Sequence, residues 1–214
     1  MITINYKQGV SYNFPRYYGS DAGWFTSAER NTKEFLCNYI KPNFTIIDAG
    51  ANIGMYTVPF AKLAYEGKVY AFEPTDTIEM LKENLAYNSC QDNVSLQTQP
   101  LGEKDEIKSD RIFKVWSQGI VDDKQFSFIT LDTFVKTNNL KVDLIKIDVD
   151  SYDYEVLLGS KQVLMEQNPL VLVELNHALG KRNHHVQEAL NFMDEIGYKL
   201  KFVLDNENYV FVKE

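Results

Sequence analysis

The chain has 214 residues and a formal charge of −8, with 22 Lys and Arg residues scattered along it. Its densest basic spot, Lys181-Arg182-Asn183-His184-His185, is too short to follow a phosphate backbone, so nucleic acid is not an expected partner. No apolar stretch approaches about 18 residues, no basic-then-apolar leader opens the chain, and Cys37 and Cys90 form no C-x-x-C, which argues against a membrane span, a signal peptide and a cysteine-built metal site. The expectation is a cytoplasmic protein of one domain spanning 1–214, with buried free thiols.

Ile2, Ile4 and Tyr6 alternate as a strand, and the next residues are rich in aromatics: Tyr12, Phe14, Tyr17, Tyr18, Trp24 and Phe25. With Arg16 these can form a lid that stacks on a flat ligand or sugar face; they can equally form a strap packed on the core. Residues 27–40 read as a helix, with Ser27 as N-cap, Phe35, Leu36, Tyr39 and Ile40 as its apolar side, and Pro42 as the stop. Residues 1–41 are therefore an N-terminal strap and helix, and 42–214 the core.

Phe44-Thr-Ile-Ile-Asp48 reads as a buried strand, Ala49 to Gly54 as a tight loop, and Met55 to Ala64 as a helix. Glycines at 50 and 54 leave room for a ligand against the backbone. A dinucleotide loop, G-x-G-x-x-G, counted from Gly50 needs glycine where Asn52 and Met55 stand, and a P-loop needs Lys where Met55 follows Gly54. S-adenosylmethionine suits the loop better: Asp48 can attract its cationic half while loop N–H groups take its carboxylate. A plain glycine turn between strand and helix is the bland alternative.

Lys68 to Phe72 forms a second strand ending at Glu73-Pro74, where a carboxylate can accept both ribose hydroxyls of an adenosine. Asp76-Thr-Ile-Glu79 has the form of a capping box before Ile78, Leu81 and Leu85, and Asn93 to Thr98 alternates as a third strand before Leu101-Gly102. Residues 103–125 are polar and irregular, with Trp116 to Gly119 distinctive; they are either an insertion over the substrate side or a surface loop. Phe126 to Asp132 gives a short strand, with Asp132 placed to cap a small helix to Asn138. Val142 to Asp148 is another buried strand ending in an acid, aimed at the same cleft as Asp48 and Glu73. Asp150 and Asp153 suit capping of the helix Tyr154–Leu158 better than catalysis. Pro169 to His177 is a fifth strand, again closing on an acid, which adds Glu174 and His177 to the cleft; a helix from Val186 to Ile196 and a terminal hairpin of Tyr198–Val203 and Tyr209–Val212 follow.

Asp48-Ala-Gly-Ala-Asn-Ile-Gly54, Phe72-Glu73-Pro74, Leu101-Gly102, Thr130-Leu131-Asp132, Asp143-Leu-Ile-Lys-Ile-Asp148 and Val173-Glu174 together resemble the FkbM family of S-adenosylmethionine-dependent methyltransferases over about 42–176. The resemblance implies an α/β fold of the Rossmann-like class I methyltransferase type. Its sheet has seven mostly parallel strands with helices on both faces, and its last strand is antiparallel. It also implies O-methylation, mostly of sugars and natural products, as in polysaccharide biosynthesis, with S-adenosylhomocysteine as the other product. Carried onto this chain, Gly50, Ala51 and Asn52 line the methionine end of the cofactor, Thr57 helps hold its carboxylate, Glu73 takes the ribose and Leu101 borders the adenine. Asp48, Gly54, Tyr56, Pro74 and Asp148 complete the expected cofactor set. Where the family shows Asp-Val-Glu-Gly-x-Glu, this chain has Asp148-Val-Asp150-Ser151-Tyr152-Asp153.

The expected acceptor is a sugar hydroxyl of a glycan or glycosylated metabolite, or a non-sugar small molecule. Asp148 or His177 would act as the base with Glu174 assisting, while a divalent cation on Asp148 and neighbouring acids is the competing arrangement. Arg16, Tyr17, Trp24, Trp116 and Gln118 are the substrate-contact candidates. A dinucleotide-dependent oxidoreductase and a cofactor-binding module without chemistry are the rival readings.

Overall fold

A computed structural model describes residues 1–19, 22–110, 113–114, 119–120 and 124–213. The apolar runs expected as buried strands pair with one another in parallel: β3 (Thr45–Ala49), β4 (Lys68–Phe72), β5 (Val94–Gln97), β10 (Leu144–Ile147) and β11 (Leu170–Glu174). β12 (Tyr198–Leu204) and β13 (Asn208–Lys213) complete a seven-stranded sheet in the order β12-β13-β11-β10-β3-β4-β5, with β13 antiparallel to both neighbours. This is the sheet the resemblance implies.

Both faces of this sheet are covered, which is why its central strands are apolar throughout rather than alternating. Ile46 and Leu144 point to one face, under α2 (Arg30–Tyr39), α3 (Thr57–Leu63) and α4 (Ile78–Tyr87). Ile47 and Ile145 point to the other, under α5 (Leu131–Thr137), α6 (Asp153–Leu158), α7 (Lys161–Gln167) and α8 (Val186–Glu195). None of these helices, nor any other among the described residues, is long and apolar enough to cross a membrane. Cys37 and Cys90 are buried and free.

The departures from the expected elements have local causes. The predicted helix 27–40 is two helices, α1 (Ala22–Ser27) and α2, separated where Glu29 takes a left-handed φ of 52°; Ser27 ends the first rather than capping the second. The aromatic N-terminus contains β2 (Val10–Phe14), which folds back on β1 (Ile2–Lys7). Within the polar 103–125 stretch, β6 (Glu106–Asp110) pairs with β9 (Lys124–Phe128), and β7 (Phe113–Lys114) with β8 (Gly119–Ile120). Thr77, not Asp76, precedes α4, and no side chain closes a capping box there. Asp132 lies inside α5, whose N-cap is Thr130, and its carboxylate instead accepts from Gln162 and Val163 N–H groups at 3.0 and 2.9 Å, capping α7. That helix had no clear sequence signal, because its cap comes from a residue distant in sequence.

One buried amide ties the strap to the sheet. Asn84 is fully buried on α4; its Nδ2 donates to the Arg16 and Ile53 carbonyls, each at 2.8 Å, and its Oδ1 accepts from the Arg16 N–H at 3.0 Å. Replacing it leaves buried backbone groups unpaired, which costs about 1–3 kcal/mol. Asn84→Ala is therefore expected to lower the urea midpoint by an amount equivalent to roughly 2 kcal/mol.

Candidate active site

A cavity of about 340 Å³ opens at the carboxyl ends of β3, β4, β10 and β11. Ligands of open α/β sheets bind at this edge because the strands end there and the loops diverge. The central feature of its wall is a buried ammonium. Lys146 on β10 stands opposite Asp48 of β3, and its Nζ lies 3.5 Å from Asp48 Oδ1, 3.2 Å from Asp148 Oδ2 and 3.4 Å from the Gly50 carbonyl. Its side chain is 2% exposed, that of Asp48 0% and that of Asp148 27%, so only Asp148 faces the cavity with solvent access. Burial alone would lower the Lys146 pKa, but Asp148, Asp48 and Glu29 outweigh it and raise it. The Asp48 carboxyl is itself raised by burial, against Lys146 and a 2.6 Å hydrogen bond from the Thr57 hydroxyl.

This arrangement corrects three assignments. Asp48, Gly54 and Thr57 lie behind the cavity wall and are absent from its lining. The charge of Asp48 is taken by Lys146 and Thr57 rather than by a ligand. The loop N–H groups expected for a ligand carboxylate are also used internally. Gly50 and Ala51 N–H donate to the Phe72 carbonyl, Gly54 N–H to the Ala51 carbonyl and Asn52 N–H to Glu73 Oε2. Gly50 is required because a Cβ there would lie 1.7 Å from the Asp148 carbonyl oxygen. The close approach is between two loops of the chain, not between loop and ligand.

The remaining cofactor candidates, Gly50, Ala51, Asn52, Tyr56, Glu73, Pro74, Leu101 and Asp148, do line the cavity. Glu73 is held rigidly, accepting from the Asn52 N–H, the Thr75 N–H and the Thr75 hydroxyl. Asn52 Oδ1 is buried without a hydrogen-bond partner among the described residues, whereas the Tyr56 hydroxyl is turned to the Glu29 carboxylate. An unpaired buried polar atom is uncommon in native proteins, so Asn52 Oδ1 on the cavity wall points to a ligand that supplies its partner. The apolar Phe72 and Leu101 beside Glu73 suit an adenine next to its ribose, and the acidic wall suits a sulfonium. The chain thus fits S-adenosylmethionine.

Glu174 and His177 also line the cavity, His177 exposed at its rim. Burial, then Asp148, Asp153, Glu29 and Glu207, push Glu174 up to about 10. Asp150 reaches about 7 through burial and the nearby Asp148 and Asp153. Asp153 also reaches about 7 through burial, yet it accepts from the Val149 and Ser151 N–H groups and so orders the loop before α6. Of the substrate candidates, Trp24 lines the cavity and Arg16 and Tyr17 do not. The Arg16 guanidinium instead meets Glu83 at 3.5 Å and Tyr17 packs on the core, while Tyr18 takes the expected place. Trp116 and Gln118 lie outside the described residues. Among those residues no group of three or more His, Cys, Asp or Glu side chains is placed to hold a metal ion.

Sequence reading missed Lys146, Glu29 and Glu207. Lys146 did carry a signal, as a lone charge within the buried run Leu-Ile-Lys-Ile, where an ammonium needs a partner acid. Glu29 and Glu207 carried none, being polar residues of connecting segments.

Residues 48–200 match the family described as the methyltransferase FkbM domain. No curated protein sequence matches the chain significantly. Among solved structures, it is similar to methyltransferase FkbM from Methylobacillus flagellatus, with TM-score 0.57, 14% identity and coverage of 81% of this chain and 44% of that one. The chain therefore spans less than half the length of that relative. It is similar also to a putative caffeoyl-CoA O-methyltransferase from Staphylococcus aureus (TM-score 0.61, 15% identity, 91% and 88% covered). A third is a putative rRNA methylase from Clostridium thermocellum (TM-score 0.57, 13% identity, 87% and 97% covered). At these identities the structural likeness speaks for the fold.

Two outcomes follow from the acidic wall and its loop. Because folded Asp150, Asp153 and Glu174 keep protons that the unfolded chain loses near pH 4, stability falls with rising pH, toward about 7 for the aspartates and about 10 for Glu174. Thermal melts of the ligand-free protein between about pH 5 and 9 should show this fall, and Glu174→Gln should make it shallower. Ser151 stands where the family has glycine and takes φ 146°, a conformation strained for any residue with a Cβ. Both Ser151→Gly and Ser151→Ala lose the 3.2 Å bond from Arg182 Nε, but only glycine relieves the strain. By chemical denaturation the glycine variant should be the more stable by about 1 kcal/mol.

Proposed function

We propose that this chain, which belongs to the FkbM methyltransferase family, is an S-adenosylmethionine-dependent O-methyltransferase acting on a sugar hydroxyl of a glycan, polysaccharide or glycosylated metabolite. The observation that carries the reading is the acid-lined cavity at the strand ends, with rigid Glu73 at one side and Asp148 paired to buried Lys146 at the other. Aromatic surface at Trp24 and Tyr18 on the same cavity supports a sugar, whose apolar face stacks on such rings. The likeness in fold to the staphylococcal protein, a putative O-methyltransferase, agrees with transfer to oxygen.

The cofactor, when bound, supplies an electrophilic methyl group on a sulfonium. Glu73 would accept from its ribose hydroxyls, Leu101 and Phe72 would border its adenine, and Gly50 to Asn52 its methionine portion. The carboxylates of the cavity favour the positive sulfonium, and the apolar wall at Phe72 and Leu101 limits water around it. Transfer forms an O–CH3 bond as the S–CH3 bond breaks in line, and the acceptor proton must pass to a base. Asp148 is that base in this reading: its Oδ2 lies 3.2 Å from Lys146 Nζ, which holds the carboxylate in place at the cavity wall. His177, exposed at the rim, can relay the proton onward. Glu174, kept protonated at neutral pH, can donate a hydrogen bond to the acceptor but cannot take its proton. A positioned base of this kind contributes about 10²–10⁴-fold.

Calorimetric titration with S-adenosylmethionine and separately with NAD tests the class. Binding of the former, weakened at least tenfold by Glu73→Ala, is expected; NAD binding alone would replace this reading with an oxidoreductase. Asp148→Asn should reduce turnover by at least about 10²-fold while cofactor affinity stays within tenfold. Near-normal turnover in that variant would remove Asp148 from the role of base.

A further inference from the structure

The amino-terminal strap lies outside residues 48–200, the region that matches the family. It is nevertheless fastened to both of the loops that carry the cofactor candidates. The Tyr6 hydroxyl donates to the Met55 carbonyl. Asn84 Nδ2 joins the Arg16 carbonyl to the Ile53 carbonyl, one residue beyond Asn52. Farther along the strap, the Tyr18 hydroxyl shares a 2.5 Å hydrogen bond with Thr77 Oγ1. The first two contacts meet the loop after β3, and the third meets the loop after β4, which begins at Glu73.

This last contact is made at the expense of a helix cap. Thr77 precedes α4, where a threonine normally turns its hydroxyl to a free N–H of the first helical turn. Thr77 forms no such bond: its backbone is already helical, and its buried hydroxyl meets Tyr18 instead. From Thr77 the connection runs on to the ribose candidate. The Thr77 N–H donates to Thr75 Oγ1 at 3.3 Å, and the Thr75 hydroxyl donates to Glu73 Oε1 at 2.5 Å. The Thr75 N–H reaches the same oxygen at 3.0 Å, while the Asn52 N–H reaches Oε2 at 3.0 Å. Each carboxylate oxygen is thus held from a different loop, Oε2 from the one braced by Asn84 and Oε1 from the one braced by Tyr18. Tyr18, Glu73, Thr75 and Thr77 all line the cavity, so these contacts run along its wall. A strap that only packed on the core would need the Tyr18 ring, but it would not need Thr77 to give up its cap.

We propose that Tyr18 is a positioning residue of the cofactor site, setting the Glu73 carboxylate for the ribose diol through Thr77 and Thr75. This rests on the methyltransferase reading and deepens it. A carboxylate ordered before its ligand arrives loses little rotamer freedom on binding, and the strap supplies that order from outside the shared domain. Without the Tyr18 hydroxyl, Thr77 is free to cap α4, and Thr75 and Glu73 lose their fixed place. The consequence falls on the ribose hydroxyls and not on the adenine, which faces Phe72 and Leu101 in that reading.

Competition calorimetry against S-adenosylhomocysteine separates this role from packing, with adenosine and 2′,3′-dideoxyadenosine as probes that differ only in the diol. Wild type should favour adenosine at least tenfold. Tyr18→Phe, which keeps the ring and removes one oxygen, should weaken adenosine severalfold and leave dideoxyadenosine within twofold. Thr77→Val should do the same, and the double variant should be no worse than either single one, because both changes remove the same bond. No loss, a loss shared equally by the two probes, or additive losses in the double variant would overturn the proposal. So would wild type that binds S-adenosylhomocysteine without preferring adenosine to its dideoxy analogue. Wild type that binds no S-adenosylhomocysteine would instead overturn the methyltransferase reading beneath it.

Discussion

The structure at the strand ends depends on one buried ammonium. Lys146 is held between Asp48 and Asp148, touches the Gly50 carbonyl and lies 4.9 Å from the Tyr56 ring centroid. Removing an ammonium and a carboxylate from water costs several kcal/mol for each ion, which their mutual attraction in the interior must offset. Here it does more than balance charge. It joins β3 to β10 at the level where both strands end, and it fixes the first loop against the second so closely that residue 50 must be glycine.

The division of labour among the acids follows from that constraint. Asp48 belongs to the frame and Asp148 to the cavity, although both end strands in the same pattern. Asp153 is used by the loop it caps, whereas Glu174 is crowded by neighbouring carboxylates until it holds its proton. Carboxylates of one formal type thus become a frame member, a cavity-facing acid, a cap and a protonated acid through burial and neighbours alone.

The strap and the terminal turn are fastened to the core and to each other. Asn84 secures the strap near Arg16 and Ile53, and Asp205 of the β12–β13 turn accepts from the Asn31 and Thr32 N–H groups at the start of α2. The two flanks of the family region are thereby fastened to each other, and between them they carry Glu29 and Glu207 to the cavity. At 13–15% identity to methyltransferases of known structure, the sheet is what these proteins share, and such flanking elements are where they can differ.

The sequence by itself determined the strands, their acidic ends and the absence of dinucleotide and P-loop glycine patterns. These are local: a buried parallel strand needs an unbroken apolar run, and a tight loop needs small residues whatever surrounds it. It therefore exposed the sheet, Glu73, Asp148 and the cavity between them. Only the tertiary structure decided that Asp48 and Thr57 face inward, that the loop N–H groups are spent on Phe72 and Glu73, and that the helix of 27–40 breaks at Glu29. It alone brought Glu29, Tyr56 and Glu207 to one wall. Those outcomes depend on which distant group arrives within about 3 Å of a donor or acceptor, and no periodicity along the chain records that distance.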